Sequence, residues 1–426
     1  MTDYKPKSEF LHQALERGYL FQCTDLEGFD QLLLKEQVSA YVGFDCTAPS
    51  LHVGNLLSIM LMRLFQNTGH RPISLMGAGT TKVGDPSGKD KTRQLLTEEK
   101  INENLTSIQS IFERLLNYDS KLENAALMAN NADWLEGLGY IEMLREIGPH
   151  FTLNRMLTYE SVKSRLDREQ PLTFLEFNYM VLQAYDFVEL YRRHGVRAQF
   201  GGSDQWGNIV NGIELGRRSG HNEQLFGFTI PLLTTATGAK MGKTAEGALW
   251  LNPAMLSHLD YYQFWRNCDD RDVGRFLRLY TDLPLDEIRR LEGLKGAEIN
   301  EAKKILAFEA TSIVRGVEGA NSAQNAARDL FEKGNISKDL PTVFFGSEEF
   351  EQGIALFAAL QRLGLVASAN EGRRLIKDGG ARINDQKVMD ANAQVTKAQL
   401  KEGFVKISAG KKKHALMACS VKQGHF

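Results

Sequence analysis

Cysteine is scarce in this chain: Cys23, Cys46, Cys268 and Cys419 are the only four in 426 residues, and no two form a CxxC pair. That spacing argues against a disulfide framework and against a structural zinc site. Long apolar runs are missing too, since no stretch reaches the ~20 residues that a membrane span needs. The amino terminus, MTDYKPKSEFLHQALERG, is charged and amphipathic, unlike a signal peptide. A soluble, cytoplasmic protein is therefore expected. Net charge is nearly absent as well, at -2, which argues against a uniformly basic nucleic-acid coat. The balance is uneven, however. Phe357 to Phe426 carries 13 Lys+Arg against 5 Asp+Glu, a balance of +8, and leaves -10 for the remaining 356 residues. A basic tail on an acidic body suggests an anionic partner for the tail.

What is present is an ordinary globular composition, 42% hydrophobic and 24% charged, with length for two or three domains. Over residues 1–235 short apolar runs alternate with helical patterns. SAYVGFD, RPISLMGAG, AALMAN, VRAQFGG and FTIPLLT read as strands. HVGNLLSIMLMRLFQNTG, TFLEFNYMVLQAYDFVELYRRHG and GNIVNGIELGRRSG read as helices. That alternation implies crossover units and an α/β domain with a parallel sheet, whose ligands bind beyond the carboxyl ends of the strands. Residues 236–335 are expected to hold a loop and then an α-helical domain, because the periodicity from Ser257 to about Lys333 is helical almost throughout. The poorly patterned GNISKDLPTVFFGSEEFEQG suggests a linker over 336–355. The basic tail, 356–426, mixes two helical patterns with short strands and reads as a small α+β domain.

Three stretches carry more polar chemistry than packing requires. SLHVGN, Ser50 to Asn55, follows a strand and opens a helix, where free backbone N–H groups and the helix dipole favour a phosphate. Thr47 and His52 flank this point as donors, and Gly54 allows a ring or sugar close to the backbone. In LTTATGAKMGKTAEG, Lys240 and Lys243 lie three apart among glycines and threonines, which suits a site where anionic charge develops and departs. GDPSGKDKTR offers Lys89 and Arg93 at helical spacing, but it is not the GxxxxGK[ST] phosphate loop.

SLHVGN and KMGKT resemble the HIGH and KMSKS signatures of class I aminoacyl-tRNA synthetases. Together with YVGFD, GDPSGK, NYMVLQAYDF and GGSDQWGN, in that family's order, they resemble the bacterial tyrosyl-tRNA synthetases. GRRLIKDGGARINDQKV resembles the small RNA-binding module that ends such enzymes. The chain departs from the family pattern at Asn55, where histidine is usual, at Gly242 and Thr244, where the consensus has serines, and at Val42, where many relatives have cysteine.

The resemblance implies a Rossmann-like catalytic domain that activates tyrosine with ATP and then esterifies tRNA(Tyr). An ionised carboxylate attacking phosphorus needs no general base, so catalysis is positioning and charge stabilisation. Thr47, His52, Lys89, Arg93, Lys240 and Lys243 are implied to hold the departing pyrophosphate together with Mg²⁺, with no protein metal site. Gly43, Asp45, His52, Gly54, Asn55, Gly202, Asp204 and Lys243 are implied to bind ATP. Tyr179, Gln183 and Asp85 would meet the substrate ammonium, Tyr41 and Asp186 its phenol, and Gln205 the reacting carboxylate and phosphate. Helical spacing independently puts Tyr179, Gln183 and Asp186 on one face. In the tail, Arg373, Arg374, Lys377 and Lys411 to Lys413 are the expected RNA contacts. The resemblance further implies a homodimer whose tRNA spans both subunits, and no membrane partner. Two rivals remain open: an RNA-binding or ribosome-associated protein built on the tail, and a tryptophanyl enzyme or nucleotidyltransferase of the same fold. Tyr41 with Asp186 favours a phenol over an indole.

Overall fold

The computed structural model describes residues 4–86, 96–236, 238, 241, 243–244, 247–332, 342–400, 403–410 and 413–420. They fall into two compact units, Met1–Ala320 and Asn321–Phe426.

Among the described residues of the first unit, six strands form one sheet. Its order is β1 (Gln22–Cys23), β6 (Phe226–Ile230), β5 (Val196–Gly202), β2 (Ser39–Asp45), β3 (Arg71–Gly77), β4 (Leu127–Asn130). Neighbours are parallel from β6 to β4, as the alternating pattern implies. The edge strand β1 is antiparallel, and its two residues carry no alternation that would announce it. β3 is buried from Pro72 to Gly77, the continuous burial expected of a strand covered on both faces. Phe10, Phe65, Phe200 and Phe228 interlock across that cover, with ring centroids 4.9–6.1 Å apart.

From β2 the chain moves outward to β3 and β4, then returns past β2 to β5 and β6. Such a reversal opens a crevice at the carboxyl ends of the strands. β2 and β5 pair at Ser39↔Val196, Ala40↔Ala198 and Tyr41↔Gln199, while β2 runs on to Asp45 and β5 to Gly202. Two helices flank the opening. Val53–Asn67 follows β2 directly and starts at His52. Phe174–His194 begins with a capping box, in which Thr173 accepts from the Glu176 N–H and Glu176 accepts from the Thr173 N–H. It ends at Gly195, whose φ of 62° favours glycine.

The rest of the unit is helical, as the periodicity predicts: His258–Arg266, Val273–Tyr280, Leu285–Glu292 and Ile299–Glu332. The last is broken at Gly316, where φ is 77° and ψ is 161°. These helices, up to Ala320, belong to the same compact unit as the sheet. Between sheet and helices a short hairpin pairs β7 (Lys243–Thr244) with β8 (Gly247–Ala248).

The second unit is α+β. β9 (Thr342–Gly346) lies parallel to β15 (Lys413–Ser420), which continues antiparallel through β14 (Phe404–Ala409) and β11 (Ala381–Ile383) to β12 (Gln386–Val388). β10 (Ile354–Ala355) pairs separately with β13 (Gln394–Val395). Asn384 and Asp385, both at positive φ, make the tight turn between β11 and β12. The expected linker over 336–355 needs correction. Its described part is β9, the helix Ser347–Gln352 and β10, and Phe345 and Phe350 are fully buried in the core of the second unit. The glycines and glutamates that read as linker are caps: Glu349 accepts from the Gly346 N–H at 2.9 Å.

Candidate active site

The crevice between the ends of β2 and β5 gathers most of the residues singled out from the sequence. At its floor, Tyr41 is 1% exposed and its buried hydroxyl has no hydrogen-bond partner among the described residues. Burial, reinforced by the charge of Asp186, pushes that phenol well above its usual range. Asp186 is 2% exposed and accepts from Asn131 Nδ2 at 3.0 Å and Trp134 Nε1 at 2.7 Å. Burial raises its carboxyl to about 7, although both donors oppose the shift and the Asp45 and Glu189 charges add to it.

Two helical turns away, the Tyr179 hydroxyl donates to both carboxylate oxygens of Asp45, at 3.2 and 3.3 Å. Thr80 Oγ1 donates to the same carboxylate at 2.9 Å and also accepts from Asn131 Nδ2 at 3.0 Å. A second chain crosses the mouth. Gln205 Nε2 donates to Asp85 at 3.0 Å, Gln183 Nε2 donates to Gln205 Oε1 at 3.3 Å, and Asn208 Nδ2 donates to both glutamines. Tyr179, Gln183 and Asp186 thus share one face, as their spacing predicts, and Asp85 and Gln205 join them from other elements.

The SLHVGN turn sits beside this floor. Asn55 Oδ1 accepts from the His52 N–H at 3.2 Å, so the asparagine in the usual histidine position closes the first helical turn. A side chain at Gly54 would place its Cβ 2.8 Å from the His52 ring and 3.5 Å from the Met241 carbonyl oxygen. The first distance is a clash and the second an ordinary contact, so glycine here is what leaves room for the His52 ring. At Gly202 a Cβ would lie 2.4 Å from Asp204 Oδ1, so that exposed carboxylate would have to turn away. Thr47, Gly43 and Asp204 are exposed around the opening. The Thr47 loop is pinned from behind, where Asn104 Nδ2 donates to the Cys46 carbonyl at 2.9 Å and Cys46 N–H donates to Thr81 Oγ1 at 2.8 Å.

Lys243 enters the described chain through its backbone in β7, paired with Ala248. Lys89, Arg93, Lys240, Lys411 and Lys412 lie outside the described residues. In the second unit, Arg373, Arg374 and Lys377 are exposed on the helix Ala369–Lys377, and Lys413 is exposed at the start of β15. Arg373 lies 3.8 Å over the Phe357 ring, which orients its guanidinium.

Sequence reasoning missed Asn131, Trp134, Thr80 and Asn208. The signal for the first two was ANNADW, a polar cluster directly after the short strand β4, where ligand-facing residues of a parallel sheet belong. No group of three or more His, Cys, Asp or Glu side chains is gathered for a metal among the described residues.

Comparison with known proteins identifies the family. The family described as tRNA synthetases class I (W and Y) matches residues 34–332, and a tyrosine–tRNA ligase C-terminal domain family matches 331–417. A tyrosine–tRNA ligase of Rhodospirillum rubrum is 60% identical over 97% of this chain and 98% of its own length. That of Methylocella silvestris is 56% identical over 97% of this chain and 99% of its own length. Among solved structures, a C-terminally truncated mitochondrial tyrosyl-tRNA synthetase of Aspergillus nidulans superposes with a TM-score of 0.67 at 30% identity, covering 77% of this chain and 95% of that one. The chain belongs to the class I tRNA synthetases of the tryptophan and tyrosine type.

Proposed function

We infer that the chain is a tyrosine–tRNA ligase. It joins L-tyrosine to ATP, giving tyrosyl-adenylate and pyrophosphate, and then transfers the tyrosyl group to the 3′ end of tRNA(Tyr). The observation that carries the choice of amino acid is the crevice floor: a buried Tyr41 hydroxyl, lacking a partner among the described residues, beside the buried carboxyl of Asp186. A substrate phenol would complete both, accepting from Tyr41 and donating to Asp186. Phenylalanine would leave the buried Tyr41 hydroxyl unpaired and deny Asp186 a third hydrogen bond beyond those from Asn131 and Trp134, and this family is itself the standard example of such discrimination, at about 10⁵ without editing.

Tyr179, Gln183 and Asp85 then take the ammonium, and Gln205 orients the carboxylate toward the α-phosphorus. The carboxylate arrives ionised, so no side chain needs to remove a proton in this step. Gly43, Gly54 and Gly202 admit the nucleotide to the backbone, Asp45, Asn55 and Asp204 bind its adenosine, and Thr47 and His52 donate to its phosphates. Lys89, Arg93, Lys240 and Lys243 hold the pyrophosphate as its charge develops, which speeds reaction because the hold is strongest in the transition state. Mg²⁺, a cation that seldom uses an all-protein cage, would be held mainly by the ATP phosphates and would supply neutralisation of part of that charge.

Arg373, Arg374, Lys377 and Lys411 to Lys413 bind tRNA phosphates from the second unit. The working form is a homodimer in the cytoplasm. Exposed apolar side chains from β4 to the start of the helix Phe174–His194 support the pairing: Tyr140, Ile141, Leu153, Leu157 and Phe174, the last by 69%. Among the described residues no helix is long and apolar enough to cross a membrane.

ATP–pyrophosphate exchange with each of the twenty amino acids tests this reading. Exchange with tyrosine alone is expected. Exchange with tryptophan in its place, or with none, would reject it.

A further inference from the structure

The segment that leaves the lysine hairpin is tied to the SLHVGN turn. Val53 N–H donates to the Leu249 carbonyl at 3.0 Å, Leu251 N–H donates to the Leu51 carbonyl at 2.8 Å, and Trp250 bridges His52 between them. Something must hold that segment from its other side, and the group that does so is unusual. Arg315 is 6% exposed, and its Nη2 donates to the Trp250 carbonyl at 2.9 Å and to the Leu256 carbonyl at 3.2 Å. Its guanidinium stacks 4.9 Å over the Tyr261 ring. The helix carrying it breaks at the next residue, Gly316. A Cβ at Gly319 would lie 3.0 Å from both Arg315 Cβ and the His258 ring, so the chain after the break packs tightly against the arginine.

This arrangement is expensive. Nε and Nη1 of Arg315 are buried with no hydrogen-bond partner among the described residues, and burial lowers the guanidinium to about 10. Apolar residues of similar volume usually pack such a site at least as well. What arginine alone supplies is a planar fork that serves two carbonyls while stacking on a ring. We propose that Arg315 is a positioning residue for adenylate formation: by gripping the Trp250 and Leu256 carbonyls it fixes the exit of the 243–248 hairpin against Leu51–Val53, and so the base from which Lys243 reaches the phosphates. The proposal rests on the lysine-loop role given above, and it adds a residue that touches neither substrate.

The test compares Arg315→Met and Arg315→Lys with the parent protein. Arg315→Met should slow single-turnover adenylate formation about tenfold, as a small misplacement does, with the tyrosine dissociation constant held within twofold. Trypsin should cut faster after Lys240 and Lys243, and Arg315→Lys should recover most of both losses. In a Lys243→Ala background, Arg315→Met should slow the reaction by less than twofold. A purely structural arginine would instead weaken tyrosine binding in step with the rate and leave trypsin cleavage at the loop unchanged, and the two substitutions would multiply. Any of those results overturns the proposal. If the lysine-loop role itself is wrong, Lys243→Ala alone leaves the adenylate rate unaltered, and that outcome is read independently of Arg315.

Discussion

The floor of the crevice and the basic surface of the second unit are both polar, and they are built in opposite ways. In the crevice the polar groups are buried and cross-linked: Asp186 is held by Asn131 and Trp134, and Asp45 by Tyr179 and Thr80. In the second unit the buried positions are almost all apolar, with Leu356, Leu360, Ile376, Val405 and Ile407 at its centre, and Arg373, Arg374 and Lys377 are exposed. Fixed buried donors and acceptors distinguish one small molecule from another, because each mismatch strands a polar group. Exposed cations add affinity for phosphate while reading little of its identity. The proposed function thus assigns discrimination and affinity to separate regions of one chain.

The comparison is sharpened most by pH. Unfolded Asp186 should ionise near the ordinary carboxylate value of about 3.9, whereas burial holds the folded carboxyl near 7. Between those values the folded state keeps a proton that the unfolded state has lost, so rising pH removes stability until about pH 7 and no more above it. Asp186→Asn lacks that proton equilibrium. Its stability without ligands, relative to the parent, should improve by on the order of 4 kcal/mol between pH 4 and pH 8. Urea unfolding at several pH values measures this, and a difference independent of pH would mean that the crevice floor is wetter than its burial implies.

Next in size is the charge at the loop. Lys240→Ala and Lys243→Ala should each slow adenylate formation about 10²-fold, the scale of a lost transition-state donor, while tyrosine binding stays within twofold. Rapid-quench kinetics beside equilibrium dialysis separates the two. A raised tyrosine dissociation constant at an unchanged rate would move these lysines into the discriminating region and blur the comparison.

The smallest effect tests the second unit. Replacing Arg373, Arg374 and Lys377 together with alanine should weaken tRNA binding about tenfold at moderate salt and flatten its salt dependence by two to three counterions, at ~0.7–0.9 per phosphate contact. Adenylate formation should be untouched. Filter binding over a salt series, beside pyrophosphate exchange, would break the comparison if both activities fell together.

Those features that repeat along the chain were legible in the sequence. The apolar run of Ser39–Asp45 and the four- and three-residue spacing of Tyr179, Gln183 and Asp186 follow from strand and helix geometry, so both the sheet and one face of the pocket could be read directly. Contacts that join distant segments left no periodic trace. Asn131 meets Asp186 across 55 residues, and Arg315 meets Trp250 across 65. The 336–355 stretch misled for another reason. Its capping glycines and glutamates look like linker composition until Phe345 and Phe350 are seen buried beneath them.

The central claim is that the buried pair at the crevice floor reads the phenol. It is tested most directly by pyrophosphate exchange with tyrosine and with phenylalanine on the parent protein, Tyr41→Phe and Asp186→Asn. Each substitution should lower the preference for tyrosine by about 10- to 100-fold, the loss of one buried hydrogen bond, chiefly through poorer use of tyrosine. A preference unchanged in both variants would contradict the account.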